Sequence, residues 1–178
     1  MPFHHVAFAS RDMEATHHFY TEVMGFELAK VVAAPTPVGG WAKHVFYETG
    51  SPDGGMIAFW DLHVDSLGDF PTDLNASIGL PTWVNHLAFD AASLDELAAH
   101  TRRWQEHGIT VLELDHGFCR SIYATDPNGI TVEFCCTTRP FSAAERQWAR
   151  DNVLRPEVEL DTEQPPLTVH EPLAPASI

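Results

Sequence analysis

Positive charge is scarce in this chain. Ten lysines and arginines stand against 25 aspartates and glutamates, for a formal charge of −15 and a pI near 4.9. A surface of that sign repels phosphate backbones and anionic lipid, which excludes nucleic-acid and membrane-surface binding as the main function. Long apolar runs are missing too. A stretch such as MIAFW (56–60) is far too short to cross a bilayer. Cysteine is rare: Cys119, Cys135 and Cys136 are an odd number with two adjacent members, which is no disulfide framework. A strand pattern begins almost at the first residue, leaving no room for a signal peptide, so the expected compartment is a reducing cytoplasm.

What is present is a hydrophobic fraction of 44 %, enough for a core, and a diverged internal repeat. His5-Val6-Ala7-Phe8 returns 81 positions later as His86-Leu87-Ala88-Phe89, and Gly25 returns 83 positions later as Gly108. Such similar offsets indicate one supersecondary unit used twice. In the first unit the pattern predicts a strand at 3–9, a helix at 11–23 capped by Ser10, and strands at 25–34, 41–50 and 55–62. In the second it predicts a strand at 83–90, a helix at 94–107 opened by a Ser93-x-x-Glu96 capping box, and strands at 109–115, 118–125 and 130–137. SPDGG (51–55) and DPNG (126–129) are the turns before the last strand of each unit. The domain reading is a first βαβββ module at 1–62, a linker at 63–82, a second module at 83–138, and a C-terminal part at 139–178. That last part holds a short helix at 143–153 and a Pro-rich acidic tail, extended or mobile.

His5 and His86 open equivalent strands, so the repeat singles them out as a pair of imidazole ligands. A lone strand histidine is more simply explained as half-buried. His4 competes with His5, but alternation puts the two on opposite faces, and the repeat matches His4 with Asn85. Glu133 follows the DPNG turn inside the apolar strand TVEFC, where a carboxylate needs a partner and a cation supplies one. The adjacent Cys135 and Cys136 point to opposite faces and are expected to pack rather than bind metal.

The ordered set of HVAF and HLAF strand starts, FYTEVMGFEL (19–28) and SIYATDPNGITVEF (121–134) resembles the vicinal oxygen chelate superfamily of glyoxalases, bleomycin resistance proteins and extradiol dioxygenases. The resemblance spans 3–137. It implies an α+β fold of two tandem βαβββ modules forming a cupped, mostly antiparallel, barrel-like site around one divalent metal. It also implies ligands from the first and last strands, and a homodimer. A Gly55–Gly129 alignment puts Phe59 where a glyoxalase-type site has a fourth ligand, with Asp61 one pair further along the same face. Two histidines and one carboxylate leave coordination positions open, as in Fe(II) oxygen chemistry, with Mn(II) the alternative.

Tyr123, ahead of the turn, resembles the extradiol tyrosine that hydrogen-bonds a metal-bound substrate oxygen; core packing is the plainer alternative. His116 is the candidate proton shuttle. Arg120, His44, His63 and Phe59 are candidate substrate contacts, and Arg120 has pairing with a nearby acid as its alternative. The expectation is therefore an Fe(II)-dependent extradiol-type dioxygenase cleaving a catechol-like aromatic diol with O2. A glyoxalase-type lyase or isomerase using Asp61, and a metal-free aromatic-drug-binding protein, stand as alternatives.

Overall fold

A computed structural model describes residues 3–51 and 54–173. The first module runs β1 (His5–Ser10), α1 (Met13–His18) continuing into a π-helical turn (Phe19–Val23), β2 (Glu27–Pro35), β3 (Trp41–Glu48) and β4 (Met56–His63). The second runs β5 (His86–Asp90), α3 (Leu94–Glu106), β6 (Val111–Asp115), β7 (Cys119–Thr125) and β8 (Thr131–Thr137). The fold is α+β and follows the tandem βαβββ plan, with each predicted element present. The caps follow local chemistry. Ser93 accepts from Glu96 N–H, and Ser142 and Glu145 form a reciprocal box at the start of α4 (Ala143–Asn152). At α1 the cap is Asp12 rather than Ser10, whose hydroxyl instead meets that of Thr16 at 2.8 Å.

The strands form two sheets, ordered β1-β4-β3-β2 and β5-β8-β7-β6, the second extended beyond β6 by a further strand from the C-terminal part. In each, the first strand pairs in parallel with the last and the other pairs are antiparallel. Strand β9 (Leu167–His170) comes from the tail. Its segment folds back on β6, and Leu173 N–H reaches Gln105 O at 3.0 Å on α3, so this part of the tail is anchored structure. The linker contains the short helix α2 (Leu74–Ser77) and a 3-10 turn at Asp65–Leu67. No helix among the described residues is long and apolar enough to cross a membrane.

One core joins both modules on their helical sides. Phe26 meets Phe89 at 4.9 Å, and Trp104 on α3 packs on Phe134 at 5.6 Å. A buried polar seam crosses the same boundary. The Tyr20 hydroxyl donates to Asp126 Oδ2 at 3.0 Å, and Asn128 Nδ2 donates to Thr16 Oγ1 at 3.0 Å. Gly129 closes the DPNG turn at φ 81°, and a β-carbon there would stand 2.6 Å from Asp73 Cβ, so glycine is required twice over.

Burial lifts the Asp126 carboxyl above its ordinary 3.8, although bonds from Ile130, Asn128 and Tyr20 act the other way. A raised folded value makes its contribution greatest below pH 3.8 and lost as pH rises through that folded value. The Tyr20 hydroxyl favours the charged form. Tyr20→Phe is therefore expected to cost about 1.5–3 kcal/mol near neutrality, the range for a hydrogen bond to a charged group, and less at strongly acid pH. Urea unfolding of both proteins across pH tests this; a pH-independent difference would contradict it.

Candidate metal and substrate site

Side-chain alternation divides the second sheet into two faces. Val132, Phe134 and Ile122 turn toward α3 and the core. Glu133 pairs with Tyr123 across β7–β8 and with Ala88 across β5–β8, so its neighbours on the other face are Tyr123, His86 and Cys135. There His86 Nε2 stands 3.2 Å from Glu133 Oε2, and Glu133 is only 5 % exposed. His86 Nδ1 lies 3.0 Å from Trp83 O. A carbonyl only accepts, so Nδ1 carries the proton and gives it to Trp83. The Nε2 lone pair then faces the carboxyl group, and two acceptor atoms at that distance need a proton, on the ring or on the carboxyl, or a metal ion between them. Cis donors on an octahedral divalent ion with bonds of about 2.1 Å stand about 3 Å apart, so the pair fits two adjacent coordination positions.

Beside this pair is a cavity of about 490 Å³ lined by His86, Tyr123, His116, Trp83, Leu112 and Leu114 among others. His116 Nε2 is 3.1 Å from the Tyr123 hydroxyl. Burial, with the Glu133 charge adding to it, pushes the Tyr123 phenol up to about 12 against the opposing Ser121 bond, so at neutral pH it is a protonated donor. Four of the sequence candidates, His86, Glu133, Tyr123 and His116, thus come together.

His5 does not join them within the chain. It lies on β1 of the other sheet beside His44 (5.7 Å between ring centres) and Phe46 (5.3 Å). Among the described residues no three histidine, cysteine or acidic side chains are grouped to hold a metal. His4 also departs from expectation: its Nδ1 is 2.8 Å from His5 Nδ1, because the strand begins only at His5 and alternation does not bind the residue before it.

The register corrects the repeat alignment by one residue. His5 pairs with Met56 and Ala7 with Ala58, as His86 pairs with Thr131 and Ala88 with Glu133. Ala58, not Phe59, is the counterpart of Glu133. Phe59 faces the core with no exposure and contacts Tyr20 at 4.6 Å, which removes it as a substrate contact. Asp61 shares the Phe59 side of the strand, away from His5, and is held by Lys43 Nζ at 2.8 Å and His63 Nε2 at 3.1 Å. Those bonds hold its carboxyl below the ordinary value despite the opposing effect of burial, the largest single influence.

Arg120 turns away from Tyr123 and pairs with Asp115 (3.0 Å) and Glu113 (3.5 Å), leaving no free charge for a substrate carboxylate. His63 stacks on Trp41 at 3.8 Å, on the same side as Asp61. His44 stacks on Trp60 at 3.8 Å and lines a separate apolar cavity of about 480 Å³ on the first sheet. Sequence reasoning missed Trp83, whose carbonyl meets His86 Nδ1, and Asn75, which is bonded to Thr82 and Asn85 on either side of it. Asn75 lies in the linker and Trp83 just before β5, where no periodicity marks either.

Residues 3–134 match the family model described as Glyoxalase/Bleomycin resistance protein/Dioxygenase superfamily. No curated protein matches the chain. Among solved structures, a glyoxylase/bleomycin resistance protein/dioxygenase domain from Frankia sp. EAN1pec is 16 % identical, with a TM-score of 0.60 over 79 % of this chain and 95 % of that one. TnmS3, an antibiotic binding protein from Streptomyces sp. CB03234, is 18 % identical, with a TM-score of 0.53 over 78 % and 97 %. The fosfomycin resistance protein FosX from Listeria monocytogenes is 21 % identical, with a TM-score of 0.51 over 82 % and 98 %. At these identities the likeness shows the fold alone.

Proposed function

Since this chain belongs to the glyoxalase/bleomycin resistance protein/dioxygenase superfamily, we propose that it is a divalent-metal-dependent, extradiol-type dioxygenase acting on a flat aromatic diol. His86 and Glu133 hold Fe(II), or Mn(II), and His5 of a second copy of the chain is the third ligand. The observation that carries this is the His86–Glu133 pair, with one imidazole proton committed to Trp83 O and an acceptor pair 3.2 Å apart. Two features support completion by a second copy. Strands β1 and β5 are both sheet edges, and both start on the ligand histidine. The face of the first sheet carrying His5 also exposes apolar side chains such as Trp60 and Val32, a surface that a second chain can cover.

When bound, the metal would supply Lewis acidity and a route for electrons from a chelated diol to dioxygen. The chain's own contribution is positioning. Tyr123, protonated at neutral pH, donates to a substrate oxygen. His116, in contact with that phenol, takes or returns a proton as the diol binds. Trp83, Leu112 and Leu114 wall the cavity and exclude water from the ring. With Ala58 opposite Glu133 and Asp61 on the other side of its strand, a fourth protein ligand is missing, which argues for open-position oxygen chemistry over a glyoxalase-type reaction.

The test is anaerobic loading with Fe(II), then oxygen uptake with a panel of catechols. His5→Ala and His86→Ala are each expected to abolish uptake and metal retention. When the two variants are co-expressed and purified together, about one quarter of the wild-type sites should return, the statistics of random pairing in a two-fold dimer that shares its sites. Full loss in the mixture would mean that His5 is not supplied by a second copy. No uptake with any diol would end the dioxygenase assignment while leaving the metal site open to measurement.

A second reading, metal-free binding of a flat aromatic ligand, is favoured by one observation: among the described residues of a single chain no group of three metal donors forms. TnmS3, whose fold this chain shares, is an antibiotic binding protein. Tight ligand binding in the presence of a chelator, unaffected by His5→Ala, would establish that reading.

A further inference from the structure

We infer that Asn75, in the linker between the modules, is a positioning residue that sets the orientation of His86 by clamping the peptide segment that holds its ring. Asn75 is 1 % exposed. Its Oδ1 accepts from Asn85 N at 3.0 Å and Asn85 Nδ2 at 2.8 Å, and its Nδ2 donates to Thr82 O at 2.8 Å and Asn85 O at 2.9 Å. Both donors and both acceptor sites of the amide are in use. All four bonds go to the two ends of a four-residue stretch, 82–85, and none goes to a strand or to either module's core. Thr131 Oγ1 adds a second donor to Thr82 O at 2.9 Å, and Thr131 is the strand partner of His86.

Between the clamped ends lies Trp83, whose carbonyl receives His86 Nδ1 at 3.0 Å. With Thr82 and Asn85 immobilised, that carbonyl has little freedom to turn. The ring it holds then keeps Nε2 toward Glu133 at 3.2 Å. Outer partners of this kind orient a ligand imidazole and select which nitrogen carries the proton. Asn75 touches neither the cavity nor the His86–Glu133 pair, so its effect is exerted wholly through the Trp83 peptide. Its consequence for metal affinity rests on the assignment of His86 as a ligand; its effect on the ring does not.

Asn75→Asp separates the two. The carboxylate keeps the size of the side chain and can still accept from Asn85, but it loses both donors and meets two carbonyls. In metal-free protein labelled with 15N-histidine, the wild type is expected to show the His86 Nδ1–H proton protected from exchange by Trp83 O, and the variant to lose that signal. In parallel, zinc affinity measured by competition with a chromophoric chelator should fall roughly 10–100-fold, the usual cost of an outer-sphere partner. A folded variant that keeps the protected Nδ1–H proton overturns the inference, as does a wild type that lacks it. Loss of the proton in a protein that never binds zinc upholds the positioning role and removes the metal assignment instead. If Asn75→Asp does not fold, Thr131→Val weakens the same clamp at Thr82 and is read by the same proton.

Discussion

Glu133→Gln is expected to strip the protein of metal while leaving its fold intact. The amide has the size of the carboxylate, and the residue is almost fully buried between His86 and Tyr123, so packing changes little. What changes is the charge facing His86 Nε2. Affinity for Zn(II) or Fe(II) should fall by more than roughly 100-fold, because even groups one step removed from a metal cost 10–100-fold. Oxygen uptake with any active diol should vanish with it. Thermal stability of the metal-free protein should hold or rise, since a buried carboxylate is costly to solvate inside a protein. Metal stoichiometry by mass spectrometry and a melting curve with chelator decide the matter. A glutamine variant that keeps its metal would show that Glu133 is not a ligand, and the dioxygenase proposal would go with it.

The largest effect on stability is expected from Trp104→Ala. Trp104 has no exposed surface and packs against Phe134, the residue that follows Glu133 on β8 and faces the opposite way. His100 stacks on the same phenyl ring at 3.7 Å, so α3 grips β8 through one aromatic side chain. Truncating a buried tryptophan to alanine costs about 3–5 kcal/mol. For a chain of this length that corresponds to a melting point lower by roughly 6–20 °C, at 2–4 °C per kcal/mol. Calorimetry on the metal-free variant measures it. A melting point within a degree or two of the wild type would mean that the α3–β8 contact contributes little to holding the second sheet together.

Much of this architecture was legible locally. Short apolar stretches bounded by turn residues marked each of the first eight strands, and the Ser93-x-x-Glu96 pattern marked the start of α3. DPNG announced its turn, because proline presets φ and glycine tolerates the positive φ that closes it. The His86–Glu133–Tyr123 grouping was also legible, since the last two sit on strands joined by that short turn and the first opens the repeat. The slip from Ala58 to Phe59 has a simple cause. Between paired residues the first module has Glu48 and Met56, and the second has Thr125 and Thr131, so the turns differ in length and their glycines are not equivalent. With a side-chain period of two, a one-residue shift sends every residue of β4 to the opposite face. Strand β9 escaped notice because a four-residue edge strand in a Pro-rich tail carries too short a pattern to separate from coil.

The sequence by itself determined the tandem plan, the acidic surface and which side chains are candidates for metal chemistry, because these depend on local pattern and composition. Only the tertiary structure decided which of them meet. It joined His86 to Glu133, and His116 to Tyr123, left His5 on a different sheet, turned Phe59 into core and tied Arg120 to its own acids. Those outcomes follow from hydrogen-bond register and from how two modules pack across a shared core. Both are contacts between residues far apart in the chain, which local periodicity does not encode.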